Sequence, residues 1–135
     1  MKPSERILIE DDEEAIREIV ASVLTAVGYE CRMAETPKEA LAVLNSGEGF
    51  DLVFSGVTEW SEDDFKYLVE TFPDIPVVVS TATINIGFML QILHMGAYDF
   101  LWRPFEAEHL IFAVRRALEY RRLKLENREY KARLE

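Results

Sequence analysis

Seven residues of this 135-residue chain are suited to polar chemistry and stand, with one glycine, where short apolar runs stop. Glu10, Asp11 and Asp12 follow Ile7-Leu8-Ile9, and Ser55 and Gly56 follow Leu52-Val53-Phe54. Ser80 and Thr81 follow Val77-Val78-Val79, and Arg103 follows the run from Tyr98 to Trp102. If each run is a strand of one open parallel sheet, ligands bind outside the carboxyl ends of those strands. Adjacent acids are oxygen donors for a hard cation, and with small hydroxyls and a cation at the same edge they make a site signature. An Asp-Asp pair after a strand also serves simply as a helix cap. The convergence of the other strand ends is what favours a site.

The elements that must position these residues are marked by periodicity and breakers. Short apolar runs alternate with segments of helical spacing, the pattern of a parallel α/β sheet. A helix is expected over Glu13 to Val27, with Ile16, Ile19, Val20, Val23, Leu24 and Val27 on one face and Gly28 as its stop. A second strand is expected over Tyr29 to Ala34. Thr36-Pro37-Lys38-Glu39 then supplies a cap, a proline at the first helical position and a glutamate at the third, opening a helix that ends near Ser46. Ser61 to Phe72 reads as a third helix with acids in its first turn, Ile84 to Met95 as a fourth, and a last helix starts near Glu106 without a breaker before Glu135. The expectation is five strands and five helices in strict alternation.

Composition narrows the function. Hydrophobic residues make up 49% of the chain, enough for one core, and a lone Cys31 excludes an internal disulfide. No apolar run is long enough to span a membrane, and the first residues lack the apolar stretch of a signal peptide, so a cytoplasmic location is expected. The net charge is −10, divided unevenly: residues 119–135 carry +2 and the first 118 carry −12. So acidic a body repels a phosphate backbone, and direct nucleic-acid binding is not expected.

Over about residues 5 to 118 the sequence resembles the receiver domain of bacterial two-component response regulators. The matching pieces are Ile7-Leu8-Ile9-Glu10-Asp11-Asp12-Glu13, Phe50-Asp51-Leu52-Val53, Pro73-Asp74-Ile75-Pro76-Val77, Thr81-Ala82, Gly96-Ala97-Tyr98-Asp99-Phe100-Leu101 and Arg103-Pro104-Phe105. The resemblance implies a flavodoxin-like doubly wound five-stranded sheet of order 2-1-3-4-5 that accepts a phosphoryl group from a histidine kinase onto an Asp ending strand three. Carried over by position, the acid pair falls on Asp11 and Asp12 beside Glu10, the switch hydroxyl on Thr81 and the switch aromatic on Phe100. The phosphoacceptor falls on Gly56 and the family's Lys on Arg103. Glycine has no side chain to phosphorylate. Asp51, Glu59, Asp63 and Asp64 do not stand at that position, and Ser55 has the wrong strand parity. With the strand-three carboxylate missing, Asp11 and Asp12 are expected to hold Mg²⁺ weakly at most. Arg103 is expected to fold over this pair, chiefly onto Asp11 or Asp12, in place of metal and phosphoryl group.

These substitutions imply a degenerate receiver with no catalysis of its own and no required cofactor, acting through contact with a histidine kinase or another signalling protein. One competing reading keeps phosphotransfer, with Gly56 an engineered change or another side chain as acceptor. Another, a nucleotide-binding flavodoxin-like domain, lacks a phosphate-cradling loop because the turns are acidic rather than glycine-rich. Trp60 and Trp102 read as core or as an apolar lip beside the strand ends, and His94 and His109 lack ligand spacing. Met89, Leu90, Ile92, Leu93 and Met95 crowd the fourth helix beyond what the sheet can bury, which makes an interaction surface there. The domain is expected to end near 118. Residues 119–135 then continue the last helix and resemble linkers to a downstream output module. Tyr120, Leu123, Asn127, Tyr130 and Leu134 recur at spacings of 3, 4, 3 and 4, a short seam for a parallel homodimer in which Asn127 sets register.

Overall fold

Each short apolar run becomes a strand because helices cover the sheet on both sides. In the computed structural model, which describes residues 4–56, 60–82 and 85–134, the elements are β1 (Arg6–Glu10), α1 (Glu14–Val27), β2 (Glu30–Ala34), α2 (Pro37–Asn45), β3 (Leu52–Gly56), α3 (Glu62–Thr71), β4 (Val77–Thr81), α4 (Ile86–Met95), β5 (Asp99–Trp102) and α5 (Ala107–Leu134). The strands lie in the order β2-β1-β3-β4-β5, every neighbouring pair parallel. The expected doubly wound architecture is therefore the observed one.

Alternation along the strands divides the interior in two. Leu8, Val53, Val77 and Val79 face α2, α3 and α4, where Val43, Leu44, Phe65, Leu68 and Ile92 meet them. Ile7, Ile9, Leu52, Phe54 and Val78 face α1 and α5, against Val20, Leu24, Leu110, Val114 and Leu118. Helix starts follow the capping chemistry: Thr36, Ser61 and Asn85 accept from the N–H groups of Glu39, Asp64 and Phe88, each at 3.1 Å. Gly28 ends α1 at φ 117°, a left-handed conformation that side-chain-bearing residues resist.

Several boundaries shift by one or two residues from expectation, and those at the strand ends matter for the site: β1 runs on through Glu10. β3 and β4 each run two residues further than their apolar runs, so Ser55, Gly56, Ser80 and Thr81 are strand residues rather than loop residues. All four are buried, and the ladder continues through them. The fourth helix begins at Ile86 behind the Asn85 cap, whereas Ile84, its expected start, lies outside the described residues.

α5 runs unbroken through position 118 to Leu134. At 28 residues it is about 42 Å long, and its second half is tied back to the base of the sheet. Arg121 pairs with Asp51 at 3.2 Å, Lys124 donates to the Pro73 carbonyl at 3.0 Å, and Arg128 grips both carboxylate oxygens of Asp74 at 2.9 and 3.0 Å. None of the described helices is long and apolar enough to cross a membrane.

Candidate functional site

Strand register brings the polar residues to one edge and alternation then sorts them onto two faces. β1 and β3 pair Glu10 with Ser55, β3 and β4 pair Gly56 with Ser80, and β4 and β5 pair Thr81 with Trp102. Gly56 and Ser80 share the parity of Phe54 and Val78 and belong to the α1–α5 face. Glu10, Ser55 and Thr81 share the parity of Leu8, Val53 and Val79 and belong to the other.

On the α1–α5 face, Arg103 closes the edge. Its backbone N–H donates to the Thr81 carbonyl at 2.8 Å, which extends the β4–β5 ladder by one bond and aims the side chain back across the strand ends. Nε donates to Ser80 Oγ at 2.7 Å, and Nη2 donates to and pairs with Asp11 Oδ2. The Asp11 side chain has no solvent exposure, and that of Arg103 is 19% exposed. Asp11 is engaged at every polar atom. Oδ1 accepts the Glu13 N–H at 2.9 Å, the carbonyl accepts from Arg17 Nη1 at 2.6 Å, and its own N–H donates to the Ala34 carbonyl at 3.2 Å.

Gly56 faces this pair across a very small gap. A Cβ at position 56 would lie 3.0 Å from Arg103 Nη2 and 3.1 Å from Asp11 Cγ, and within hard contact of Asp11 Oδ2. Asp12, expected to share the pocket, is exposed instead. Asp11 keeps the inward position at the strand end, and the chain turns to solvent one residue later. The acids are thus not a facing pair. Mg²⁺ requires near-octahedral oxygen ligation, and this donor set does not fit it: Gly56 offers no carboxylate, both Asp11 oxygens are engaged, and Asp12 stands apart. Among the described residues, no group of three or more His, Cys, Asp or Glu is arranged to hold a metal. His94 and His109 are exposed on separate helices.

On the opposite face lies a second polar cluster that the sequence did not disclose. Glu10 is fully buried, and its Oε1 accepts from Ser55 Oγ at 2.5 Å and from Trp60 Nε1 at 3.0 Å. The indole also donates to Ser55 Oγ at 2.6 Å and stands edge-on to Phe65. Trp60 is therefore packed against the core, as one of its two readings had it, and is anchored there by its indole N–H rather than forming an apolar lip. Glu10 Oε2 is buried without a partner. Burial foremost pushes the carboxyl up to about 7; Ser55 and Trp60 oppose this by stabilising the anion, and Asp11 and Asp12 add to it by repulsion. Glu10 is the residue facing Ser55 across β1 and β3, which is the one signal that could have paired them in advance.

Thr81 is buried at the end of β4, and Phe100 is half-buried against the α2–α4 side of the core with its ring 6.2 Å from that of Trp102. Trp102 is half exposed. Tyr120, Leu123, Asn127, Tyr130 and Leu134 all lie exposed along α5, with the Tyr120 ring 5.0 Å from that of Tyr98 on the body.

The family model for the response regulator receiver domain matches residues 7–115. The nitrogen assimilation regulatory protein NtrX of Azorhizobium caulinodans is 36% identical over 130 residues, which cover 93% of this chain. The C4-dicarboxylate transport transcriptional regulatory protein DctD of Rhizobium meliloti is 31% identical over 131 residues, or 95% of the chain. The chain spans 28% of the length of each of these relatives. Among solved structures, NtrX from Brucella abortus in complex with ADP superposes with a TM-score of 0.89 at 34% identity, covering 96% of this chain and 29% of that one. A CheY-like receiver domain from Methanospirillum hungatei shares the fold at 22% identity, with a TM-score of 0.83 over 90% of this chain and 99% of that one. With the strand order, the polar edge and the match from Ile7 to Arg115 in agreement, the chain belongs to the response regulator receiver domain family.

Proposed function

We propose that this receiver works in two-component signalling by protein contact, without accepting a phosphoryl group at the end of β3 and without catalysis of its own. The observation that carries this reading is Gly56. It stands at the carboxyl end of β3 beside the acidic residue Asp11, it has no side chain, and the Asp11–Arg103 pair fills the space where a side chain would begin. Ser55 is no substitute, because its hydroxyl is buried against Glu10 and Trp60 on the other face. Partners of two kinds follow: a histidine kinase or another signalling protein upstream, and an output domain downstream. The relatives are regulators several times longer than this chain, which supports the second. Contact is made through the exposed apolar residues of α4 and α5, Ile86, Leu90 and Phe112, and two copies pair along the outer stripe of the α5 tail. The module works in the cytoplasm, and its contacts need neither nucleic acid nor membrane.

Incubation with acetyl phosphate and Mg²⁺, followed by intact-mass measurement, tests the reading. The expected spectrum shows the unmodified chain alone. A stoichiometric species heavier by about 80 Da, the mass of one phosphoryl group, and mapped to the strand ends would overturn it.

A further inference from the structure

We propose that Arg103 is the resident cation of the Asp11 pocket, closing it to divalent metal, and that Gly56 is the residue that makes room for it. A buried carboxylate needs a charged or multiply bonded partner. Asp11 has one that is covalently part of the chain. The Arg103 guanidinium bridges Ser80 through Nε and Asp11 through Nη2 at the same time, a fork that a lysine ammonium cannot reproduce from one point charge. With Oδ1 already accepting from Glu13 and Oδ2 from Arg103, a metal would have to compete with the guanidinium for Asp11. Arg17, bonded to the Asp11 carbonyl, adds a second positive group on the same residue.

Gly56 completes the device through space rather than through backbone conformation. It is not among the glycines with positive φ, so its backbone makes no demand for glycine. Glycine within a strand is otherwise unfavourable. What position 56 cannot hold is a Cβ, because that atom would displace a buried carboxylate pinned on both oxygens. Residues 56 and 103 therefore depend on each other: the small residue admits the guanidinium, and the guanidinium neutralises the buried acid beside it. A diffusible cation has been replaced by a tethered one, and the state of this edge becomes independent of Mg²⁺.

This inference concerns the same edge as the proposed function but stands on metal binding, which is measured without any phosphoryl donor, so the two fail separately. Calorimetric titration of the full chain with MgCl₂ should show no saturable binding in the parent. Arg103→Ala should gain saturable binding, because freed Asp11 then has both a carboxylate oxygen and the vacated space beside it to offer a hydrated ion. Arg103→Gln, which keeps a polar side chain beside Ser80, should show the same gain if the alanine variant folds poorly. Adding Asp11→Asn to Arg103→Gln should abolish that gain. Separately, Gly56→Ala should melt at a lower temperature than the parent. Saturable Mg²⁺ binding by the parent that is lost in Asp11→Asn, no gain in both Arg103 variants, or a Gly56→Ala chain as stable as the parent would each overturn the proposal.

Discussion

Glu10 lies at zero exposure with Oε1 shared by Ser55 and Trp60 and Oε2 unpartnered, so burial opposes its ionisation and holds its pKa near 7 instead of 4.5. An acid with a raised folded-state pKa is fully stabilising below the unfolded value, because both states then carry the proton. Between 4.5 and about 7 the unfolded chain ionises while the folded one must stay protonated, and stability falls as pH rises. Above that window the loss levels off, at about 3 kcal/mol for a shift of this size. Glu10→Gln keeps the acceptor for Ser55 and Trp60 and removes the proton. The expected outcome is a flatter stability profile: urea unfolding at about pH 5 and about pH 8 should give parent values that fall relative to the variant's by a few kcal/mol. Parallel profiles for the two chains would place the ionised carboxylate in a better solvated setting than a fully buried one.

At the scale of elements, the alternation of strands and helices was legible because apolar runs, caps and glycine stops all agreed, as at Thr36-Pro37 and Gly28. Strand ends were less legible. Ser55, Gly56, Ser80 and Thr81 have the composition of a loop, yet the parallel ladder carries them, and only burial by both helix layers explains it. The Arg103–Asp11 pair could be anticipated from charge and position. The split of Glu10, Asp11 and Asp12 onto two faces and solvent could not, since it depends on where β1 stops. The Glu10–Ser55–Trp60 cluster joins residues 45 and 50 positions apart, and no local pattern links them. The same is true of the α5 ties, where a run read as a charged linker is held to the sheet base by Asp51, Pro73 and Asp74. Arg128 holds the Asp74 carboxyl below its usual range, first by its hydrogen bonds and then by its charge. Exposed pairs of this kind contribute little to global stability. Asp74→Ala should therefore change the unfolding free energy by less than about 1 kcal/mol, yet hydrogen exchange across residues 121–134 should speed up. Unchanged exchange in that segment would mean that helix propensity alone keeps the tail formed.

For the whole molecule, the ties on one side of α5 decide which side remains for a partner. Tyr120, Leu123, Tyr130 and Leu134 are 50 to 71% exposed, and Phe112, at 62%, continues their stripe toward the domain. Residues three and four apart share a helix face, and an exposed apolar stripe of this length marks an interaction surface. Two heptads are marginal for a coiled coil on their own, so any pairing must also contend with the bodies it brings together. Each body carries −12 and the tail +2, and two such bodies side by side repel one another. Salt screens that repulsion over about 8 to 10 Å at ordinary ionic strength while leaving apolar burial intact. Self-association through the stripe should therefore strengthen as salt is raised, the reverse of what tail ion pairs alone would give. Sedimentation velocity on the full chain should show a dimer fraction that grows with NaCl and disappears in Leu123→Glu/Tyr130→Glu, with the fold intact by circular dichroism. A chain that stays monomeric at high concentration and high salt would leave the stripe a solvated helix face, and a dimer that persists in the double variant would place the pairing on another surface.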